Sequence, residues 1–150
     1  MKTRHFATEP PSLAKREALS CGFDEAILLN INGTIAERPG ENIFMVKDNI
    51  IYTPYVASSA LPEITAQSTK EIAKNLNIEV IQKTIICDKL FLADELFFTE
   101  TAAQVTLIRE IHGRIIGSEK RGPITEQIQR IFFDASSCKK DTYREWLTVI

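Results

Sequence analysis

The sequence predicts an α+β fold, and three observations predict it. Short strand signals arrive in turn-linked pairs, and helical periodicity appears in three separated stretches. The two kinds of element do not alternate one for one, as a doubly wound parallel sheet requires. At 150 residues, with 44% hydrophobic and 25% charged residues, the chain is large enough for one real core.

Residues 1–12 read as an extended or disordered lead-in: they are largely polar and Pro10-Pro11 closes them. The domain is expected to run over 13–150. Ser12 is a candidate N-cap for a helix from Leu13 to Cys21, and Gly22 is placed to end it. Ala26-Ile27-Leu28-Leu29 is a compact strand signal. Asn32-Gly33, between Ile31 and Thr34-Ile35, is a strong short-hairpin signal. A second hairpin joins Ile43–Val46 to Ile50–Thr53 through Lys47-Asp48-Asn49. A loop from Pro54 to Pro62 leads into a helix that puts Ile64, Ile72, Ala73 and Leu76 on one face. Val80 to Ile86 reads as a strand, Asp88 as the cap of a short helix through Leu92, and Glu95 to Thr99 as a returning strand. Val105 to Ile111 and Arg114 to Ile116 form a third hairpin around His112-Gly113. Gly122-Pro123 opens a last helix over 124–136, burying Ile124, Ile128, Ile131 and Phe132, and Trp146-Leu147 is a docking anchor in the tail.

Composition excludes several classes of function. A net charge of −2 gives no electrostatic basis for binding nucleic acid or an anionic membrane. No apolar run is long enough to span a bilayer, and the first residues lack the apolar segment of a secretory signal. Cys21, Cys87 and Cys138 are odd in number and far apart, which argues against a disulfide framework or a zinc site and fits a reducing cytoplasm. His5 and His112, the two histidines, sit in the lead-in and in a turn, so a surface role outweighs a catalytic one. The pairs Glu37/Glu41 and Asp94/Glu95 have acid–base spacing, but among 20 acidic residues such pairs are more often solvated. Neither a G-x-G-x-x-G nor a Walker pattern occurs, and Thr101-Ala102-Ala103 reads equally as an anion-binding backbone or a tight turn.

Many short segments fall in one family's order and spacing from about residue 13 to the end. They are Ala14-Lys15-Arg16-Glu17-Ala18, Asp24 to Leu29, Ile35-Ala36-Glu37, Gly40 to Phe44, Tyr52-Thr53-Pro54, Leu61-Pro62 with Ile64-Thr65, Leu92 to Glu95, Thr101-Ala102-Ala103, Gly122 to Thr125 and Trp146-Leu147. On these residues the chain resembles the fold type IV, pyridoxal-phosphate-dependent aminotransferases of class IV, and the branched-chain-amino-acid members among them. The resemblance implies the C-terminal, larger domain of that fold, a mixed-strand pseudo-barrel flanked by helices, with no counterpart here of the family's small N-terminal domain. It implies that Glu37 pairs with the cofactor's pyridine nitrogen and keeps it protonated, and that Leu61 packs on the ring. Ile64 and Thr65 would bind the phosphate at a helix N-terminus, with Thr101 as a second ligand. Ala102 and Ala103 would receive the substrate's carboxylate.

Three departures bear on chemistry. Counting back without gaps from Ala14 puts the family's Schiff-base lysine at Thr3, and its Asn-Tyr-Leu at Ala7-Thr8-Glu9; Lys2 is one residue away. Glu63 and Glu100 stand where the family has glycines at the phosphate cup, and a carboxylate about 5 Å from a phosphate costs about 3 kcal/mol per charge pair. Arg38-Pro39 stiffens the loop after Glu37. The expected function is therefore a branched-chain-amino-acid aminotransferase-like domain, the family reaction moving amino groups between Leu, Ile or Val and 2-oxoglutarate. It is expected to be inactive alone and not to hold pyridoxal phosphate tightly or covalently, with no catalytic lysine and no metal. The alternatives are a part of an enzyme completed by a separate N-terminal chain, and a non-enzymatic partner of a full-length aminotransferase. The expected partners are a second copy or an aminotransferase chain.

Overall fold

The computed structural model describes residues 1–7, 10–36, 41–55, 64–100, 104–118 and 120–136. In chain order the elements are β1 (Lys2–Ala7), α1 (Pro11–Ser20), β2 (Glu25–Leu29), β3 (Glu41–Lys47), β4 (Ile50–Thr53), α2 (Ile64–Asn75), β5 (Val80–Gln82), α3 (Cys87–Leu90), β6 (Glu95–Glu100), β7 (Gln104–Leu107), β8 (Glu110–Ile111), β9 (Arg114–Ile115) and α4 (Pro123–Ser136). They build a four-stranded sheet of order β2-β1-β8-β9 and a five-stranded sheet of order β5-β4-β3-β6-β7. Pairing is mixed: β1 runs parallel to both β2 and β8, and β3 runs antiparallel to β4 and β6. The expected α+β class is what the chain adopts.

Side-chain alternation explains the layers. On β3, Ile43 and Met45 face one way, with Leu96 and Phe98 of β6 and Ile27 and Leu29 of β2, and form the core between the sheets. Phe44, Val46 and Phe97 face the other way, onto Ile72 and Ala73 of α2 and Ile124 and Ile128 of α4. The Phe44 and Phe97 rings stack there at 5.2 Å between centroids. A third layer packs Ala14 and Ala18 of α1 on Ala26 and Leu28 of β2. Strands with both faces covered are apolar over most of their length, which is why the centres of β2, β3 and β6 read as continuous runs.

The two sheets are joined along both sides, which makes the barrel. On one side the chain breaks after β7 at Ile108-Arg109 and enters the other sheet as β8; Ile108 N–H still donates to Leu96 O (2.8 Å) while Arg109 N–H already donates to Met1 O (2.9 Å). On the other side Thr34 bridges Ile86, and Ile35 N–H donates to Ile85 O (2.8 Å). The stretch that reads as one strand over 80–86 is thus shared. Its first three residues pair with β4, and its end is captured by the segment after β2.

Several boundaries differ from the sequence reading, each for a local reason. Residues 1–12 read as a lead-in outside the domain, yet Lys2–Ala7 is the strand β1, hydrogen-bonded between β2 and β8. Pro10, not Ser12, caps α1, because Pro11 at the first helical position needs no N–H partner. The helix ends as expected, with Gly22 at φ +83° and Phe23 N–H donating to Ala18 O (3.0 Å). Asp88 lies inside α3 rather than capping it. Ile86 is the cap residue, Cys87 N–H is met by Gly33 O (3.1 Å), and the helix stops at Leu90. Lys47 pairs with Ile50 around Asp48 (φ 51°) and Asn49 (φ 62°), a two-residue turn of the I′ kind. Trp146-Leu147 lies outside the described residues.

Helix α4 is held by one buried carboxylate. Glu95 Oε1 accepts from Ile124 N–H (3.1 Å) and Oε2 from Thr125 N–H (2.7 Å), meeting two donors that the helix start leaves open. Gly122 lets it in, because a Cβ there would overlap the Glu95 carboxyl group. The neighbouring Asp94 works at the surface. It accepts from Asp48 N–H (2.9 Å) and Lys47 Nζ (2.9 Å), and these bonds, the backbone one first, hold its carboxyl below the usual range.

This pair of acids yields two expected outcomes. Glu95→Ala, which strands two buried N–H groups, and Gly122→Ala, which overpacks them, each lower stability by about 1–3 kcal/mol. In the double variant the Gly122 penalty largely vanishes, and urea denaturation of the four proteins measures that coupling. Asp94→Asn destabilises the protein at neutral pH. A depressed folded pKa gives stability above the unfolded value, lost as pH falls through the folded one. The gap in thermal midpoint between wild type and variant therefore narrows below about pH 4 and closes in stronger acid.

Candidate functional site

Described residues that flank several of the expected site positions come together at one end of the five-stranded sheet. Glu41, which opens β3, is paired in register with Glu100, which closes β6, and Glu100 with Gln104, which opens β7. Strand β4 arrives at the same end, where Thr53 Oγ1 donates to Ile43 O (2.9 Å). A cleft opens here, lined by Leu28, Ala36, Glu41, Ile43, Pro54 and Phe98 among others. Glu37, Leu61, Thr101, Ala102 and Ala103 lie outside the described residues, as do Glu63 and Arg38-Pro39. The flanking strands therefore locate the mouth, while those five roles rest on the resemblance alone.

Ile64 and Thr65 are the expected residues within the described part. Ile64 begins α2, and Thr65 is buried in its first turn; Thr69 Oγ1 donates to Thr65 O (2.9 Å) one turn later. The start of a 12-residue helix supplies free N–H groups and the positive end of a dipole, the right chemistry for an anion. Two other hydroxyls are buried, Thr99 Oγ1 on β6 and Thr125 Oγ1 in the first turn of α4, both fully enclosed without a protein partner.

Charge at the mouth has the opposite sign. Glu41 and Glu100 stand directly across from one another and are both half-buried. By alternation from Ile43 and Phe98 they lie on the barrel-interior face. Two carboxylates in cross-strand register repel one another, and each disfavours an anion beside it.

The start of β1 carries the position where the resemblance expects an amine. Thr3 is fully buried, and its Oγ1 donates to Glu110 O (3.2 Å). Lys2, the next residue along a strand, takes the opposite face; its Nζ is half-exposed and paired with Glu110 Oε2 (3.2 Å). Lys15 is committed elsewhere, to the buried Glu25 at 2.6 Å, where it fastens α1 to β2. Neither residue offers a free amine to the cleft.

Other candidates settle into structural roles. Asp94 and Glu95 are neighbours that point apart, one to a turn and one to α4, and form no acid–base pair. His112 holds a left-handed turn position (φ 51°) and packs 6.1 Å from Phe23. Cys87 is buried, and desolvation with the Asp88 charge pushes its thiol up to about 11, so it is inert as a nucleophile. Among the described residues, no three His, Cys, Asp or Glu side chains come together to hold a metal, and no helix is long and apolar enough to cross a membrane. Pro54 and Phe98 in the cleft wall, and the Glu41–Glu100 pairing, escape the sequence reading. Period-two counting along β3 and β6 was the available signal for Phe98 and the acid pair.

Comparison with known proteins agrees with this geometry. A model of the amino-transferase class IV family matches residues 3–111. The branched-chain-amino-acid aminotransferase of Pseudomonas aeruginosa is 46% identical over 138 residues, covering 92% of this chain and 45% of that protein. The probable branched-chain-amino-acid aminotransferase of Aquifex aeolicus is 44% identical over 140 residues, covering 93% and 45%. Among solved structures, a T.th. branched-chain amino acid aminotransferase complexed with N-(5'-phosphopyridoxyl)-L-glutamate superposes with a TM-score of 0.86 at 34% identity, over 97% of this chain and 54% of that one. The chain thus spans about 45% of the length of these curated relatives. The family match covers most of the chain, both sheets superpose on a solved member, and the chain belongs to the amino-transferase class IV family, where it is similar to the branched-chain-amino-acid enzymes.

Proposed function

We propose that this chain is an aminotransferase scaffold of the branched-chain type that is catalytically silent by itself. One observation carries the reading. The position where the resemblance expects an imine-forming lysine is Thr3, buried and hydrogen-bonded to Glu110 O, while Lys2 turns outward to the Glu110 carboxylate. Pyridoxal phosphate supplies electron-sink chemistry once joined to an amine, and a threonine hydroxyl cannot form that imine. The described residues fit the cofactor in one respect, the anion-binding start of α2 with Thr65. They misfit it in two, the missing amine and the carboxylates of Glu41 and Glu100 at the mouth. Taken together they do not fit a covalently held cofactor, and no reaction step is derived through one. Glu37, Leu61, Thr101, Ala102 and Ala103 keep their family roles within this proposal.

A second reading is favoured by how fully the scaffold is kept: a polypeptide carrying the rest of the relatives' length completes the site. In that case the family reaction, amino transfer between Leu, Ile or Val and 2-oxoglutarate, would run on the assembled pair. A non-enzymatic role, pairing with an aminotransferase chain or a second copy, would also show as complex formation, without activity. A cytoplasmic location, which the widely spaced, odd-numbered cysteines fit, belongs to this proposal.

The first test mixes the purified chain with pyridoxal phosphate, reduces with borohydride and maps modified lysines by mass spectrometry. Scattered weak labelling is expected, together with leucine–2-oxoglutarate transamination at the level of a blank. Stoichiometric labelling at one lysine, Lys2 above all, would overturn the proposal. Mixing with the N-terminal part of a relative then separates the remaining readings: co-elution with restored activity supports the completed enzyme, and co-elution without it the silent partner.

A further inference from the structure

The hairpin after β2 carries an asparagine–glycine step whose chemistry the site does not use. We propose that Asn32-Gly33 is a deamidation site whose rate is set by opening of this hairpin, with Thr34 as its latch. Asparagine is a labile residue, and a following glycine has no Cβ to obstruct attack by its own nitrogen. Asn32 is exposed, so water reaches it, and a Cβ built on Gly33 would meet nothing within 4 Å.

The reaction is closed within the loop apart from water. The Gly33 nitrogen gives up its proton and bonds to the Asn32 side-chain carbonyl carbon. The bond from that carbon to Nδ2 breaks, and ammonia leaves carrying a proton. Water then opens the resulting succinimide at either carbonyl, giving aspartate or isoaspartate. The sum is amide plus water to acid plus ammonia, with no oxidant or reductant.

The folded hairpin keeps both reactants occupied. The nucleophile's N–H donates to Asn30 O (2.9 Å), a turn that leaves Gly33 at φ +77°. The electrophile's Oδ1 accepts from Thr34 N–H (3.2 Å) and from Thr34 Oγ1 (2.6 Å). Thr34 is itself fixed: it is buried, its Oγ1 accepts from Asn30 Nδ2 (2.9 Å), and its backbone bridges Ile86. Attack therefore requires the loop to open first, so deamidation reports local opening. The product matters because of where the loop leads. Isoaspartate adds a carbon to the backbone a few residues before the Ile35–Ile85 seam, and Ile35 and Ala36 line the cleft.

The test compares the folded protein with a synthetic peptide of residues 28–36 at mildly alkaline pH and body temperature. The amide-to-acid mass change at Asn32 and its isoaspartate share are followed by mass spectrometry. The peptide is expected to react about tenfold faster than the protein or more. Thr34→Val, which loses the hydroxyl but keeps the N–H, should speed the folded protein about fivefold, the worth of about 1 kcal/mol. Thr34→Ser, which keeps the hydroxyl, should stay at the wild-type rate. A folded protein as fast as the peptide, a Thr34→Val rate equal to wild type, or a peptide that does not react would each overturn the proposal.

Discussion

Strand β6 is buried on both faces along most of its length, and the fold is arranged around keeping it so. Leu96 and Phe98 fill the space between the sheets, while Phe97 meets the helices. A carboxylate on such a strand survives only where its oxygens are met. Glu95 meets that condition through α4, whose first N–H groups bind both oxygens. The acid thereby fixes where α4 starts, and Gly122 is small because it must be. Once α4 is seated, Ile124 and Ile128 close the outer core over Phe97, and Gln129 reaches Val105 O at 2.5 Å to tie the helix to β7. At the other end of the same strand, Glu100 faces the mouth opposite Glu41. Two glutamates five residues apart thus act in opposite senses, one completing the scaffold and one opposing an anion.

Barrel closure explains why the site and the scaffold are separable. The two seams, Arg109 with Met1 on one side and Ile35 with Ile85 on the other, are backbone hydrogen bonds between residues that need no chemistry. The core they enclose is aliphatic and aromatic. None of those seam residues except Ile35, which lines the cleft, borders the expected site. A threonine at position 3 is therefore compatible with an intact sheet. Thr3 is β-branched, suits a strand, and finds a carbonyl partner in Glu110.

Legibility in the sequence followed the same division. Elements with two covered faces or a clear period were plain: β2, β3, α2 and α4 were placed within a few residues, and Ile72, Ala73, Ile124 and Ile128 were assigned correctly to buried faces. Strand β1 was hidden because Lys2-Thr3-Arg4-His5 carries no apolar alternation; its place comes from backbone bonds to two neighbours. The split of 80–86 between two partners, and of 105–111 between two sheets, was likewise a matter of pairing that no local pattern records. At the site, the family motif drew attention to Thr3 and Glu100. It was silent on register. That Glu41 faces Glu100, and that Lys2 turns away while Thr3 turns in, follow from the period of two once the strands are placed.

The direction Lys2 takes bears on the proposal that the site lacks an imine-forming amine. A slip of β1 by one residue would bring Lys2 to the interior, but it would move every side chain of the strand to the opposite face. It would also break the bonds that set the present register: Asp24 N–H to Lys2 O (2.8 Å), Lys2 N–H to Asp24 Oδ2 (2.7 Å), His112 N–H to Thr3 O (3.0 Å) and Arg109 N–H to Met1 O. Four hydrogen bonds at about 1 kcal/mol each, with the Lys2–Glu110 pair adding a fraction of that, outweigh what one exposed lysine could regain. The register that seals the barrel is therefore the same feature that holds the Lys2 amine outside it.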